Sequence, residues 1–175
     1  MRASAHMTTP EYEETLKKLH TTLSSRAFYT NKEHALISPS GSSSTWFFDF
    51  RSVLLESETL SAVSYLFWER LKHLRPFQIG GLETAAIALV AATVMTARND
   101  GVALNGFYVR KSRKKDGLQR MVEGTLTDED IVLVDDGINS GRSIMRQIAL
   151  LDTLDKKVRA VCVMVRFRDP SFYRY

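Results

Sequence analysis

Two adjacent acidic residues, Asp135 and Asp136, end the apolar run Ile131–Val134 and lead into Gly137-Ile138-Asn139-Ser140-Gly141-Arg142-Ser143. A glycine- and serine-rich turn that opens a helix presents free backbone N–H groups. With the hydroxyls of Ser140 and Ser143 these make a cradle for an anion. Gly141 lets the backbone approach a phosphate closely. A phosphate by itself is repelled by two carboxylates, so the acidic pair must face another part of the same ligand. Sugar hydroxyls, with or without Mg²⁺, meet that need.

A second group with chemical potential is the basic stretch Arg110–Arg120, which holds Arg110, Lys111, Arg113, Lys114, Lys115 and Arg120. From composition alone it reads as a solvated turn, a nucleic-acid patch or a grip on a polyanion, with Gly117 as a hinge. The whole chain carries 24 basic and 20 acidic residues, a net charge of +4. That excess suits an anionic ligand and is too small to imply nucleic acid. The lone cysteine, Cys162, lies in the apolar run Val158–Val165. It excludes a disulfide framework, suits a reducing cytoplasm, and reads as an inert core residue. His6, His20, His34 and His73 have no metal-ligand spacing.

These residues need a scaffold, and the sequence outlines one. Met1–Met7 reads as an expression remnant or a disordered leader, with Met7 as the native start, and is set aside. Thr8-x-x-Glu11 with Pro10 in the first turn marks a helix start. Tyr12, Leu16, Leu19 and Leu23 then follow at helical spacing. Ser38–Ser44 is a loop by composition, Thr45–Phe50 a strand, and Ser57–Leu74 a helix with Leu60, Val63, Phe67 and Leu71 on one face. Phe77–Ile79 is a short strand running into Gly80-Gly81, Thr84–Arg98 an apolar helix and Val102–Val109 a strand. After the basic stretch and a polar turn at Thr127–Asp130 come the strand Ile131–Val134, a helix over Gly141–Leu154 and a buried strand at Val158–Val165. Strands and helices alternate, and the strands are continuously apolar. That pattern predicts an α/β fold, a parallel sheet with helices on both faces, plus a small N-terminal hood. The expected division is one domain over 8–175, hood elements within 8–55 and core over 56–168. The longest uncharged run, Thr84–Ala97, is too short to span a bilayer.

Ligands of open α/β sheets bind beyond the carboxyl ends of the strands, where the acidic pair is expected. Three other readings of the pair compete with this one. An apolar strand ending in Asp-Asp resembles a Walker B strand, but GxxxxGK[ST] occurs nowhere. A phospho-receiver carries its acids near the N-terminus, whereas these lie late. An acidic loop capping a helix without a ligand is the bland alternative.

Ile131–Ser143, IVLVDDGINSGRS, resembles the 5-phosphoribosyl-1-pyrophosphate (PRPP) signature of type I phosphoribosyltransferases, and the rest of the chain is most similar to orotate phosphoribosyltransferases. Phe107–Gly117, FYVRKSRKKDG, looks like that family's strand and mobile catalytic loop, and Glu123-Gly124 stands where the family has "eG". Ser40-Gly41 followed by Trp46-Phe47-Phe48-Asp49-Phe50-Arg51 is similar to its N-terminal segment. Ile79–Ala85 sits where it has its pyrophosphate loop, and the likeness runs collinearly from Leu36 to Arg168.

The resemblance implies an enzyme of the glycosyltransferase type. It would transfer phosphoribose from PRPP to orotate with Mg²⁺, giving orotidine 5′-monophosphate and pyrophosphate in pyrimidine biosynthesis. Asp135 and Asp136 would hold the ribose hydroxyls and face the charge developing at the anomeric carbon. Asn139, Ser140, Gly141, Arg142 and Ser143 would wrap the 5′-phosphate. Gly81, Leu82, Glu83 and Thr84, with Arg110, would meet the pyrophosphate, and Lys111 and Lys114 would neutralise it. Phe47, Phe48 and Arg168 would line the base pocket, with Arg166 the alternative arginine. The Mg²⁺ would be held mainly by PRPP, near Asp135 and Asp136 and with no direct ligand from the chain. The family also implies a cytoplasmic homodimer with shared active sites, and no nucleic-acid or membrane partner. The chain departs from the family pattern at Pro39, Thr84 and Asp116, each of which stands where a cation is common. Gly137 and Arg142 stand where a small apolar residue and a Thr or Gly are usual; Arg142 either adds a phosphate contact or crowds the loop. Those departures keep open transfer to another base, or a non-catalytic PRPP-binding regulatory protein.

Overall fold

The computed structural model describes residues 9–30, 36–37, 43–112 and 121–173. The chain divides into two compact units, Met1–Ala62 and Val63–Tyr175.

In the first unit, helix α1 (Pro10–Arg26) starts at Thr9, whose hydroxyl accepts the Tyr12 N–H at 3.1 Å. The cap is therefore Thr9, one residue after the Thr8 expected, because Thr9 holds the extended backbone that an N-cap requires. Pro10 fills the first helical position, where its missing N–H is no loss. Leu19 and Leu23 are buried while Leu16 stays 43% exposed, so the helix covers its core with less than the full predicted stripe. Strand β1 (Phe28–Thr30) pairs antiparallel with β4 (Trp46–Phe48). Between them β2 (Leu36–Ile37) pairs with β3 (Ser43–Ser44). Ser43 and Ser44 thus belong to a strand and not to the expected loop; Pro39, Ser40 and Gly41 lie outside the described residues. The rings of Phe28, Phe48 and Phe50 pack in series, Phe28 tilted against Phe48 at a centroid distance of 4.9 Å and Phe48 stacked on Phe50 at 5.4 Å. A short helix α2 (Arg51–Leu54) follows, buried through Val53 and Leu54, and Glu56 takes an ion pair from Arg26.

Helix α3 (Ser57–Leu71) carries the chain into the second unit. It stops at Leu71, and Lys72–Leu74 tighten into a 3-10 turn instead of completing the helix to Leu74. Val63, Phe67, Trp68 and Leu71 are buried, and the Trp68 indole N–H donates to Asp100 at 2.6 Å. The second unit then lays down β5 (Gln78–Gly80), α4 (Ala85–Asn99), β6 (Phe107–Val109), β7 (Val122–Gly124), β8 (Ile131–Ile138), α5 (Arg142–Asp152) and β9 (Val158–Arg166). The order β5-β8-β9 is parallel throughout. β6 flanks β5 in parallel through single bridges at Gly106 and Val109, then folds back antiparallel as β7.

The central strand explains why acids can stand in a core element. β8 has eight residues where four were expected, because pairing with β9 continues through Asp135↔Val163 to Ile138↔Arg166. Ile131 and Leu133 join Phe107, Val109, Ile144 and Leu151 in a cluster beneath α5. Side chains alternate along a strand, so Val132 and Val134, both fully buried, face the side that α4 covers. Buried Gln78 staples the polar turn 127–130 to the sheet: its amide donates to the Thr127 and Glu129 carbonyls and accepts from the Thr127 N–H at 3.0 Å. β9 differs from expectation. It is half-exposed over Ala160–Val165, because among the described residues only β8 pairs with it. No helix among the described residues is long and apolar enough to cross a membrane.

Candidate active site

Three backbone features converge at the carboxyl ends of β5, β6 and β8. Beyond β5 the chain passes tightly over β8: a Cβ on Gly81 would lie 2.3 Å from the Val134 carbonyl oxygen and 2.5 Å from the Ala86 Cβ. Gly81, Leu82, Glu83 and Thr84 therefore form a loop pressed against the strand that carries the acidic pair. The Gly81 carbonyl accepts the Val109 N–H at 2.7 Å, and the Glu83 N–H donates to the Val109 carbonyl at 2.8 Å. The Glu83 carboxylate accepts the backbone N–H of Lys111 at 2.8 Å, which fixes where the basic stretch begins. Glu83 is thus more than the start of α4; it couples two segments of the site.

Asp135 and Asp136 are half-buried near the end of β8. Burial is the main reason the Asp135 carboxyl is pushed up to about 7, and the Asp136 charge beside it adds to the shift. The Asp136 N–H, donated to Asp135 Oδ1 at 2.9 Å, and the Lys111 charge both work against it. The pair thus sits where added positive charge would be welcome.

After Ile138 the chain turns through exposed Asn139 and Ser140 to Gly141, whose φ of +75° places it in the left-handed region at the N-cap of α5. No side chain caps this helix, so its first N–H groups are available to a ligand. Arg142 and Ser143 in the first turn are exposed. Arg142 does not crowd the loop.

The tail beyond β9 closes the other side. The Phe167 N–H donates to the Ile138 carbonyl at 3.0 Å. Arg168 Nε donates to Asn139 Oδ1 at 3.1 Å, and its guanidinium lies 4.7 Å from the Phe172 ring centroid. The Tyr173 hydroxyl stands 2.9 Å from the carbonyl oxygens of both Ile138 and Asn139. Arg168 therefore belongs to the loop after the acidic pair, whereas Arg166 is exposed at the end of β9 and acts on Asp169.

No protein-family model matches the chain. The orotate phosphoribosyltransferase of Bradyrhizobium sp. (strain ORS 278) is 30% identical over 131 residues, 72% of this chain and 71% of that one. The chain belongs to the orotate phosphoribosyltransferase family. As a member it is a phosphoribosyltransferase, an enzyme of the glycosyltransferase type. The Mycobacterium tuberculosis H37Rv orotate phosphoribosyltransferase in complex with Fe(III) dicitrate superposes with a TM-score of 0.70 at 21% identity, covering 87% of this chain and 84% of that one. The same enzyme in complex with PRPP gives 0.64 at 20% identity, over 92% and 79%. These likenesses show the fold, and it is the α/β phosphoribosyltransferase fold expected from the sequence.

Within this member of the orotate phosphoribosyltransferase family, the structure gathers Asp135, Asp136, Asn139–Ser143, Gly81–Thr84, Arg110, Lys111 and Arg168 in the second unit. Arg110 leans on Glu123 across the β6–β7 pair at 3.6 Å. Lys114, Arg113, Lys115, Asp116, Gly117 and Arg120 lie outside the described residues. Phe47 and Phe48 belong to the first unit: Phe47 is 37% exposed, and Phe48 packs into the aromatic stack. Cys162 is half-buried on β9, and burial pushes its thiol up to about 12, as suits an inert residue. Tyr173 was not foreseen, since an aromatic residue in a polar tail carries no periodic signal. Glu83 was foreseen by position, though its hold on Lys111 was not.

The residues fit a divalent cation carried by a substrate. No group of three or more His, Cys, Asp or Glu gathers among the described residues. The mutual repulsion of the Asp135 and Asp136 carboxylates would be relieved by positive charge held nearby on the substrate.

Proposed function

We propose that the protein transfers the phosphoribosyl group of PRPP to orotate in the presence of Mg²⁺, giving orotidine 5′-monophosphate and pyrophosphate for pyrimidine nucleotide synthesis. The observation that carries this reading is the acidic pair at the end of the central strand, followed directly by a left-handed glycine and an uncapped helix. Bound PRPP would set its 5′-phosphate on the N–H groups of Gly141–Ser143, where the helix dipole favours negative charge. Its ribose hydroxyls would then meet Asp135 and Asp136. As the bond to pyrophosphate breaks, positive charge grows at the anomeric carbon, and the negative charge of the acidic pair, largest once nearby positive charge draws the proton off Asp135, would stabilise it at a fixed, half-buried position. Arg110, Lys111 and Lys114 would take up negative charge on the leaving pyrophosphate, helped by the backbone of Gly81–Thr84. Mg²⁺ bound to PRPP, beside Asp135 and Asp136, would supply further charge neutralisation. Arg168, oriented by Asn139, would pair with the orotate carboxylate. Closure of the basic loop would exclude water, which competes with the base as nucleophile. In the proposed active unit, a cytoplasmic homodimer, this loop serves the neighbouring subunit's site.

The test is to measure pyrophosphate release from PRPP and Mg²⁺ with orotate, and in parallel with uracil, adenine and hypoxanthine. Release with orotate alone is the expected result. Release with a different base moves the reading to that acceptor. PRPP binding without release for any base makes the protein a sensor.

A further inference from the structure

The chain beyond β9 turns back on the phosphate loop and holds it at three points. The Phe167 N–H carries the β8–β9 ladder one step further, onto the Ile138 carbonyl at 3.0 Å. Arg168 Nε donates to the Asn139 side chain at 3.1 Å. Asp169 then caps the 3-10 turn Pro170–Phe172, its carboxylate accepting the Ser171 N–H at 2.9 Å. The Tyr173 N–H closes that turn on the Pro170 carbonyl at 3.2 Å, and its side chain comes back to the loop. There the ring packs against the apolar cluster beneath α5 and edge-on to Phe172. Its hydroxyl reaches the carbonyl oxygens of both Ile138 and Asn139, each at 2.9 Å.

Two consecutive carbonyls on one hydroxyl constrain the loop. In an extended chain successive carbonyls point to opposite sides. Here both face Tyr173, so the chain must turn at Asn139. Both peptide bonds are trans and planar, so each N–H points away from its own carbonyl. The Asn139 and Ser140 N–H groups are therefore turned away from the tail, on a common side. They stand immediately ahead of left-handed Gly141 and the uncapped start of α5. Successive N–H groups on one side of a turn form a concave site for an anion. The Ile138 carbonyl already accepts from Phe167, so the sheet does not need the hydroxyl; the orientation of the Asn139 peptide does.

We propose that Tyr173 is a positioning residue of the phosphate site: its hydroxyl fixes the Ile138 and Asn139 peptide units so that the Asn139 and Ser140 N–H groups join those of Gly141–Ser143 around the 5′-phosphate. The inference rests on the phosphoribosyl reading of this loop and adds to it a residue outside the signature. The role differs from that of Arg168, which holds the Asn139 side chain and not the peptide planes. The pyrophosphate end of the site is built on β5 and β6 and does not depend on this tail.

Ribose 5-phosphate and Mg²⁺-pyrophosphate, titrated calorimetrically into the intact protein and into Tyr173→Phe, separate a positioning role from a general structural one. The variant keeps the ring against its cluster and the Phe167 N–H on Ile138, so it folds, and a thermal melt checks that. The expected result is ribose 5-phosphate affinity lower by about fivefold or more in the variant, with pyrophosphate affinity unchanged. Equal ribose 5-phosphate affinity in the two proteins would overturn the proposal. So would an equal loss for both ligands, the mark of a general loosening. A wild-type protein that binds no ribose 5-phosphate would overturn the phosphoribosyl reading itself, and this inference with it.

Discussion

At the scale of single residues, Asp135 and Asp136 carry different burdens. Asp135 is the one whose carboxyl burial holds near 7. An unfolded aspartate titrates at about 3.9, so between those values the folded chain binds the extra proton. The stability that Asp135 contributes is therefore complete below about pH 4 and is lost as pH rises through about 7. Melting temperatures recorded from pH 5 to 8 should fall, and Asp135→Asn should flatten that slope; an unchanged slope would show that the shift lies elsewhere. Asp136→Asn should lower turnover roughly 100-fold or more while PRPP affinity changes less, as expected of a charge that acts mainly in the transition state. Equal losses in both would reduce it to a binding residue. Arg168→Ala should raise the KM for orotate about tenfold or more and leave that for PRPP unaltered, because its orienting partner is Asn139 and its proposed target the base. Arg166→Ala is the control. The acids and the loop were legible because their chemistry is local in sequence. The hold of Glu83 on Lys111 spans 28 residues, and that of Arg168 on Asn139 spans 29, so neither leaves a local pattern.

At the scale of elements, tight backbone contacts place the site. Gly81→Ala should destabilise the protein by about 2 kcal/mol or more, because its Cβ would press into the Val134 carbonyl, and backbone cannot step aside as a side chain can. Thermal denaturation reads this directly, and a melting temperature within a degree of wild type would contradict it. The order of strands and helices was readable from the apolar runs and their punctuation. Ends were less so. β8 runs past Val134 because β9 pairs with it through Asp135 and Gly137, and pairing between strands is not written in one strand's composition. β7 was missed for the same reason: Val122-Glu123-Gly124 is too short to show a period, and antiparallel pairing with β6 makes it a strand. β9 read as buried from its apolar run, yet its open side leaves it half-exposed.

At the scale of the whole molecule, the parallel sheet presents β5, β6 and β8 so that their carboxyl ends meet, and fold and site are one arrangement. Family membership follows from likeness spread over 131 residues, which no single motif could provide. The basic stretch illustrates the limit of local reading, since its composition suits a solvated turn equally well and only its position after β6 gives it a role. In the proposed homodimer, Lys114→Ala and Asp136→Asn subunits are each inactive alone. Mixed one to one, they should regain about a quarter of wild-type activity if the loop serves the neighbouring site, and none if it serves its own. The central claim is that the segment after β8 holds the phosphoribosyl group, and a crystal structure of the protein with PRPP and Mg²⁺ tests it most directly. The account predicts the 5′-phosphate on the backbone of Gly141–Ser143 and the ribose hydroxyls against Asp135 and Asp136. PRPP bound elsewhere, or a ribose turned away from the acidic pair, would contradict it.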